Sequence, residues 1–382
     1  MLIPVPQWRE TYNPLRGLTI ARLNSIHDAA ARGQYAAAQW LYRYMQGADV
    51  TIQAAVERRL AFVDALTWQI RTSESADPAL ADEQAAALRQ AYNGIDNLRD
   101  ASRALALSAF TGFAVLDKVP ADGLFPTRLD DIAPWFWVRP RGRPWELNPE
   151  IRDECPRGEP VDPARLVMIE RTPAFKPIAY HYHAKVLAAA DWDAMLQASA
   201  NPSAFFVAPE THNTDEKLAE FQAIAEQLVS NGRGALPHGT ELKTIDLARP
   251  GSRPPFAERI DYCDRQIVLA ATGGILTMLT ESGSGTLAGG AHSDALFQLA
   301  RSDAGKLSEA YQRHIDAPIL RDLFPGTPPV AYFEFDVPQT ENTAKLLEAA
   351  ANLNWAGYRV DQKQLEEKTG LKLIPIQMEA PQ

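Results

Sequence analysis

The chain has 382 residues, of which 46% are hydrophobic and 23% charged, and its formal net charge is −10. That length allows two or three domains with a sizeable core, and the acidic balance argues against a protein that coats nucleic acid, which would be basic. Cys155 and Cys263 lie too far apart for a disulfide framework or a metal motif, and neither a secretory signal nor a membrane span is expected.

Residues 1–18 read as extended and irregular. A helix is predicted from Thr19 to about Arg32, and a second from Gln34 to Gln46 with Tyr35, Trp40, Leu41 and Tyr44. Asp49 caps a third, in which Ile52, Val56, Leu60 and Val63 recur at helical spacing. Ala-rich helices follow at Pro78–Tyr92 and Asn97–Phe110. Gly112 breaks the pattern, and Phe113–Val119 reads as a strand. The 28 prolines of the chain cluster between Pro120 and Pro177, which predicts loops and short strands there. Trp135–Val138 and Leu166–Glu170 are the strand candidates, with the Trp135/Trp137 pair read as half-buried packing rather than as a binding platform.

From Ile178 to about Ala200 the pattern is helical. His181 and His183 diverge on such a helix, whereas a metal pair requires a spacing of four. Asn201-Pro202 stops it, and Phe205–Val207 is a short strand. A helix from Thr214 or Asp215 to Val229 carries Leu218, Phe221, Ala225 and Leu228, and Leu236–Ile245 reads as a turn and a strand. If the flanking helices pack side by side, this strand–helix–strand insert projects as an attachment surface.

The stretch from Arg249 to Phe324 organises the rest. A breaker cluster, Arg249–Pro255, precedes a helix over Phe256–Ala271. A Gly/Ser/Thr run, Thr272–Gly290, leads into a long helix over Ala291–Phe324. No Lys or Arg and a single acidic residue, Glu281, occur in that run, so it suits brushing past phosphates better than holding them, and it equally suits an ordinary surface loop. Gly283, Gly285 and Gly289 imitate a dinucleotide fingerprint, but the spacing is off by one and no strand leads into them. Val330–Asp336 is a strand, Thr340–Trp355 a helix closed by Gly357, and Asp361–Thr369 a short helix. No phosphate-binding loop, zinc-protease helix or nucleophile elbow is present, so no catalytic residue, cofactor or metal is expected.

The order of these elements resembles the phage Mu-type portal proteins, the head–tail connectors of tailed phages. The resemblance rests on Leu18–Gln34, on Asp49–Trp68 with Glu57-Arg58-Arg59, on Leu66–Ile70, and on Ala109–Val115. It continues through Lys185 to Asp191-Trp192, Leu236–Leu242, Asp264–Gly273, Leu276-Thr277, Gly283-Ser284-Gly285, Ala291–Asp294, and Gly357 to Gly370. The family's Gly-Gln-Thr-Leu-Thr is loosened here to Gly273–Thr277, Ala200-Asn201-Pro202 replaces a Gly-Pro pairing, and the chain is short after Gly370. A prophage copy or a gene-transfer particle is compatible with these departures.

The resemblance implies an α+β portal fold, with a helical wing, a two-helix stem, a small α/β clip and a reduced helical crown. It would assign 1–177 to the wing, 178–202 to the first stem helix, 203–248 to the clip and 249–275 to the second stem helix. Residues 276–290 would be a tunnel loop, 291–339 a long wing helix with its return strand, and 340–382 the crown. Thr277, Thr280, Glu281, Ser282, Ser284 and Thr286 would face double-stranded DNA in transit. Phe205, Phe206, Glu210, His212, Arg233 and His238 would form the clip's partner surface. The implied function is a ring at the capsid vertex, typically of about twelve subunits, through which DNA is packaged and ejected. Its partners would be the terminase large subunit, a head–tail adaptor and the major capsid protein, with no membrane and no enzymatic activity. It would reside in the virion, and in the bacterial host cytoplasm during assembly. The competing readings are another phage structural or adaptor protein, and a nucleotide-binding enzyme using the Gly283–Gly289 loop; ring formation separates them from a portal.

Overall fold

The computed structural model describes residues 13–120, 123–140, 142–148, 157–200, 204–207, 214–217, 219–223, 241–244, 255–274, 286–337, 343–357, 359–362 and 365–366. Three helices open it: α1 (Ile20–Ala31), α2 (Ala36–Ala48) and α3 (Val50–Asp64). Thr19 caps α1 by accepting from the Arg22 amide at 3.2 Å, and Asp49 caps α3 by accepting from the Ile52 amide at 3.0 Å. The predicted stripe of α3, Ile52, Val56, Leu60 and Val63, is buried. β1 (Thr67–Thr72), α4 (Pro78–Asn93), α5 (Leu98–Ala106) and the short α6 (Ser108–Thr111) follow. The helix expected over Asn97–Phe110 therefore breaks at Leu107. Gly112 ends α6 at φ +97, a conformation that L residues rarely adopt, and β2 (Phe113–Val119) leaves it as predicted.

β2 is the middle strand of an antiparallel sheet between β3 (Arg128–Asp131) and β7 (Leu166–Glu170). A second small sheet joins β4 (Trp137–Val138), β5 (Glu146–Leu147) and β6 (Glu159–Pro160). The strand expected over Trp135–Val138 is shorter, because Pro134–Phe136 forms a 3-10 turn that rotates Trp135 onto Trp40. Their rings stack with centroids 4.3 Å apart, and Trp137 is fully buried, so both indoles serve packing. Gly33 crosses here at φ +90, and a Cβ on it would lie 1.8 Å from the Arg139 carbonyl oxygen. The close approach lets Arg139 N–H donate to Gly33 O at 2.9 Å, which ties the α1–α2 turn to the β4 sheet.

α7 runs over Phe175–Ala200, starting three residues before the expected Ile178. β8 (Ala204–Val207) and β9 (Glu241–Thr244) pair antiparallel, and residues 215–217 and 219–223 between them are helical, with Phe221 buried. α8 (Pro255–Thr272) packs against α7. α9 spans Thr286–Tyr311, a π-turn follows at Gln312–Asp316, and α10 spans Ala317–Leu323. The single long helix expected from Ala291 therefore starts five residues earlier and is interrupted near its end. Pro318 explains the interruption, since its ring and missing N–H cannot continue the i→i−4 ladder. The widened turn is fixed by Asp316, which accepts from Tyr92 Oη at 2.6 Å and from the Phe333 amide at 2.7 Å. β10 (Ala331–Asp336) pairs antiparallel with β1, returning the chain to the N-terminal helices. α11 (Thr343–Trp355) ends with Trp355 at 92% exposure, and Gly357 follows at φ +88.

The main core runs from Leu23, Leu41 and Ile52 through Leu88, Leu105 and Phe110 to Ile267, Leu307, Tyr311 and Phe333. Phe113, Val115, Phe136, Trp137, Leu147 and Leu166 form a second cluster on the other face of β2. Among the described residues, no helix is long and apolar enough to cross a membrane, and no cluster of His, Cys, Asp and Glu suits a metal.

Candidate functional site

The sequence directs attention to the α7–α8 pair and to the segment leaving α8, and there two networks of ion pairs brace the fold. Lys185, midway along α7, has Nζ 2.6 Å from Asp264 Oδ1 on α8 and 2.8 Å from Asp49 Oδ2 at the start of α3. Asp49 thus has two tasks: one oxygen caps α3, and the other receives the lysine. Burial disfavours the Lys185 charge, but hydrogen bonds to Asp264 and Asp49 outweigh it and hold the amine above the ordinary lysine range. One turn away, the His181 and Tyr262 rings meet edge to face at 6.1 Å. His183 points elsewhere and contacts the Leu18 carbonyl at 3.1 Å through Nε2. The two histidines therefore diverge, as their spacing requires.

A second network fastens the far end of α8. Arg59 of α3 donates Nε and Nη2 to the two oxygens of Asp303 on α9, at 2.7 and 2.9 Å. Its Nη1 donates to the Ala271 carbonyl at 3.1 Å, one residue before α8 ends. Arg171, just after β7, adds a 2.5 Å contact to Asp303 Oδ1. A cation on a terminal carbonyl also suits the negative end of the helix dipole. Both side chains of the Arg59–Asp303 pair are almost wholly buried, so the pairing is obligatory: neither charge could remain there alone. Gly273 then turns the chain at φ +71, and Thr272 Oγ1 lies 2.8 Å from the Val268 carbonyl and 3.0 Å from that of Gly274. The chain thus departs toward residue 275 from an end clamped to α3, α9 and the β7 turn. It returns at Thr286, from which α9 climbs about 25 Å before reaching Asp303.

Of the residues expected to face DNA, Thr286 is the first residue of α9 rather than part of a loop. Thr277, Thr280, Glu281, Ser282 and Ser284 lie outside the described residues. Phe205 and Phe206 sit on β8, in register with Lys243 and Leu242 of β9. Glu210, His212, Arg233 and His238 lie outside the described residues. The glycine loop weighed as a nucleotide site loses Gly289, which is helical. Arg59 was legible in sequence only as part of a motif, yet it lies on the buried stripe of α3 between Val56 and Leu60. A charge at a stripe position is the signal of a buried partner.

A helical body over small antiparallel sheets, with a braced helix pair and a further two-stranded element between its helices, makes an α+β fold. The chain belongs to the family of portal proteins of Mu bacteriophage, whose model matches residues 39–371. A curated relative, the Mu-like prophage FluMu protein gp29 of Haemophilus influenzae, is 24% identical over 393 aligned positions, covering 96% of this chain and 73% of the relative. Two solved structures share the fold. A chain in the virion of a native gene transfer agent particle has a TM-score of 0.57 at 14% identity, covering 87% of this chain and 92% of that one. A chain in the neck of a native gene transfer agent particle, computed with C12 symmetry, has a TM-score of 0.52 at 14% identity, covering 91% and 99%. The chain is a phage portal protein.

Proposed function

We propose that copies of this chain close into a ring of about twelve at the capsid vertex, around a channel that double-stranded DNA crosses in packaging and ejection. The observation that carries this reading is the α7–α8 pair, which is bound to the body by Lys185 and Arg59 while several apolar side chains stay exposed among the charged ones on its outer surfaces. Val186, Leu187 and Leu196 on α7, with Tyr262 and Leu269 on α8, are each 39–52% exposed. Leu187 and Leu196 are nine residues apart, which puts them on opposite flanks of α7. A ring contact is heterologous and needs two different sticky flanks per copy.

In this reading α7 and α8 are the stem, the β8–β9 insert is the clip, and α11 with the residues after it forms a reduced crown. The wing comprises α1–α6, β1, the two three-stranded sheets, α9, α10 and β10. Residues 276–285 with the start of α9 are the part that meets DNA, and the net charge of −10 lets the duplex pass with few fixed cations to hold it. The clip docks the terminase large subunit during packaging and the head–tail adaptor afterwards, the wing contacts the major capsid protein, and the portal itself performs no chemistry. The protein would assemble in the bacterial host cytoplasm and end in the virion. The deciding measurement is the mass and negative-stain image of the purified protein. Annular particles of about a dozen copies are expected; a monomer or dimer persisting across salt and concentration would sink the reading.

A further inference from the structure

From Ala351 to Gly357 every residue is exposed, with Leu353 at 47% and Trp355 at 92%. Leu347, Ala351 and Trp355 recur every four residues and so share one stripe of α11, while Leu353 lies on another flank. A helix of 13 residues is marginal on its own in water, and one with apolar side chains on two flanks needs a surface to cover it.

A groove of about 640 Å³ lies between the end of α3, the start of α5 and the β1–β10 pair. Val63, Leu66, Trp68, Ile95, Leu98 and Phe335 line it. Val63, Ile95 and Phe335 are buried, whereas Leu66, Trp68 and Leu98 are half-buried and keep apolar surface open to the groove. Asp96 and Arg99, both exposed, add a polar edge. Aliphatic and aromatic walls with a few polar groups suit an indole.

Groove and helix belong to one level of the molecule. Asp336 of β10 is in register with Thr67 of β1, so the chain leaves this sheet beside the groove. Thr343 follows Val337 by six residues, which holds the start of α11 within about 20 Å of that point. Copies in a ring are related by rotation about the channel axis, so each presents its groove to the next at the same height. We infer that Trp355 of one copy seats in this groove of the next, with Ala351 and Leu347 behind it. The inference rests on the ring reading given above. At 92% exposure Trp355 is not seated in the groove of its own chain. Across the contact Arg99 would meet the carbonyl end of α11, and Asp96 would meet Arg359, each an attractive pairing. One helix stripe is too small to close a ring alone, so this contact adds to the α7–α8 flanks.

The test places benzoylphenylalanine at position 355 of the full chain, an exposed position where it keeps an aromatic ring. Annular particles are isolated and then irradiated. A denaturing gel should show a product of twice the monomer mass, joined at residues 63–68, 95–102 or 335. Leu98→Glu in the same chain should reduce that product about tenfold while the rings persist. Benzoylphenylalanine at the exposed Glu83 position on α4 should give no groove product. Cross-links within one chain, whether to its own groove or to residues 358–382, would overturn the inference. So would cross-links confined to other parts of the neighbour, or an undiminished yield in Leu98→Glu rings. Absence of annular particles from the parent chain would remove the ring reading and this contact with it. Annular particles without the groove product would remove this contact alone.

Discussion

Asp303 joins α9 to α3 and to the turn after β7. It lies between two buried guanidiniums, and one of these, Arg59, also holds the end of α8 through the Ala271 carbonyl. Asp303→Asn would leave both cations with a neutral partner, and about 3–5 kcal/mol of stability should be lost, read from denaturant unfolding. His27, which is buried, and His314, which is partly buried, set a pH dependence. Burial lowers the pKa of His27 and of His314 from 6.5 to about 4, so between those values the unfolded chain holds protons that the folded chain refuses. Their contribution to stability is complete above about pH 6.5 and is lost as pH falls toward 4. The thermal midpoint should therefore be lower at pH 5 than at pH 7, and His27→Gln should shrink that drop by roughly half. An unchanged drop in the variant would remove His27 from the account.

At the scale of elements, the joints are where small residues become indispensable. Gly33→Ala combines a strained φ with a backbone oxygen far inside contact distance, so the α1–α2 turn would have to leave the β4 sheet. The loss should be roughly 2 kcal/mol or more, measured as a shift in the unfolding midpoint, and Gly142→Ala, at positive φ in open space, should cost less. Helices were the legible part of the sequence. The Asp49 cap, the α3 stripe and the Gly112 break each act within a few residues, so the local pattern contains the whole cause. The π-turn before Pro318 and the 3-10 turn at Pro134–Phe136 were not read, although proline marked both, because their exact form depends on Phe333 and Trp40, which are distant in sequence. The anchoring charges were visible as residues but not as partners, since Arg59 and Asp303 lie 244 positions apart. The start of α9 was misplaced because glycines 289 and 290 suggested a loop, and tertiary context overrode that preference.

For the whole molecule, the decisive property is that one flank of the helix pair differs from the other. A ring contact joins flank A of one copy to flank B of the next, and Leu187 and Leu196 mark opposite flanks of α7. Leu187→Glu should damage A in every copy, and Leu196→Glu should damage B, so neither variant alone should form rings. Both side chains are about half exposed, so unfolding midpoints should stay close to that of the parent chain. The informative experiment mixes the two variants. An intact A from the Leu196→Glu copy can meet an intact B from the Leu187→Glu copy, and the resulting pair exposes only damaged flanks. Growth should stop at a heterodimer, visible by native mass spectrometry as one new species at twice the monomer mass. If the mixture rebuilt rings, or if each variant alone still closed, α7 would not supply the two flanks and the interface would have to lie on the wing. A symmetric two-fold contact predicts the opposite pattern. The variant damaged on the self-complementary flank would stay monomeric, the other would dimerise alone, and mixing would put a glutamate into every mixed pair. The heterodimer therefore separates a head-to-tail ring from a self-complementary pair without requiring an image of either.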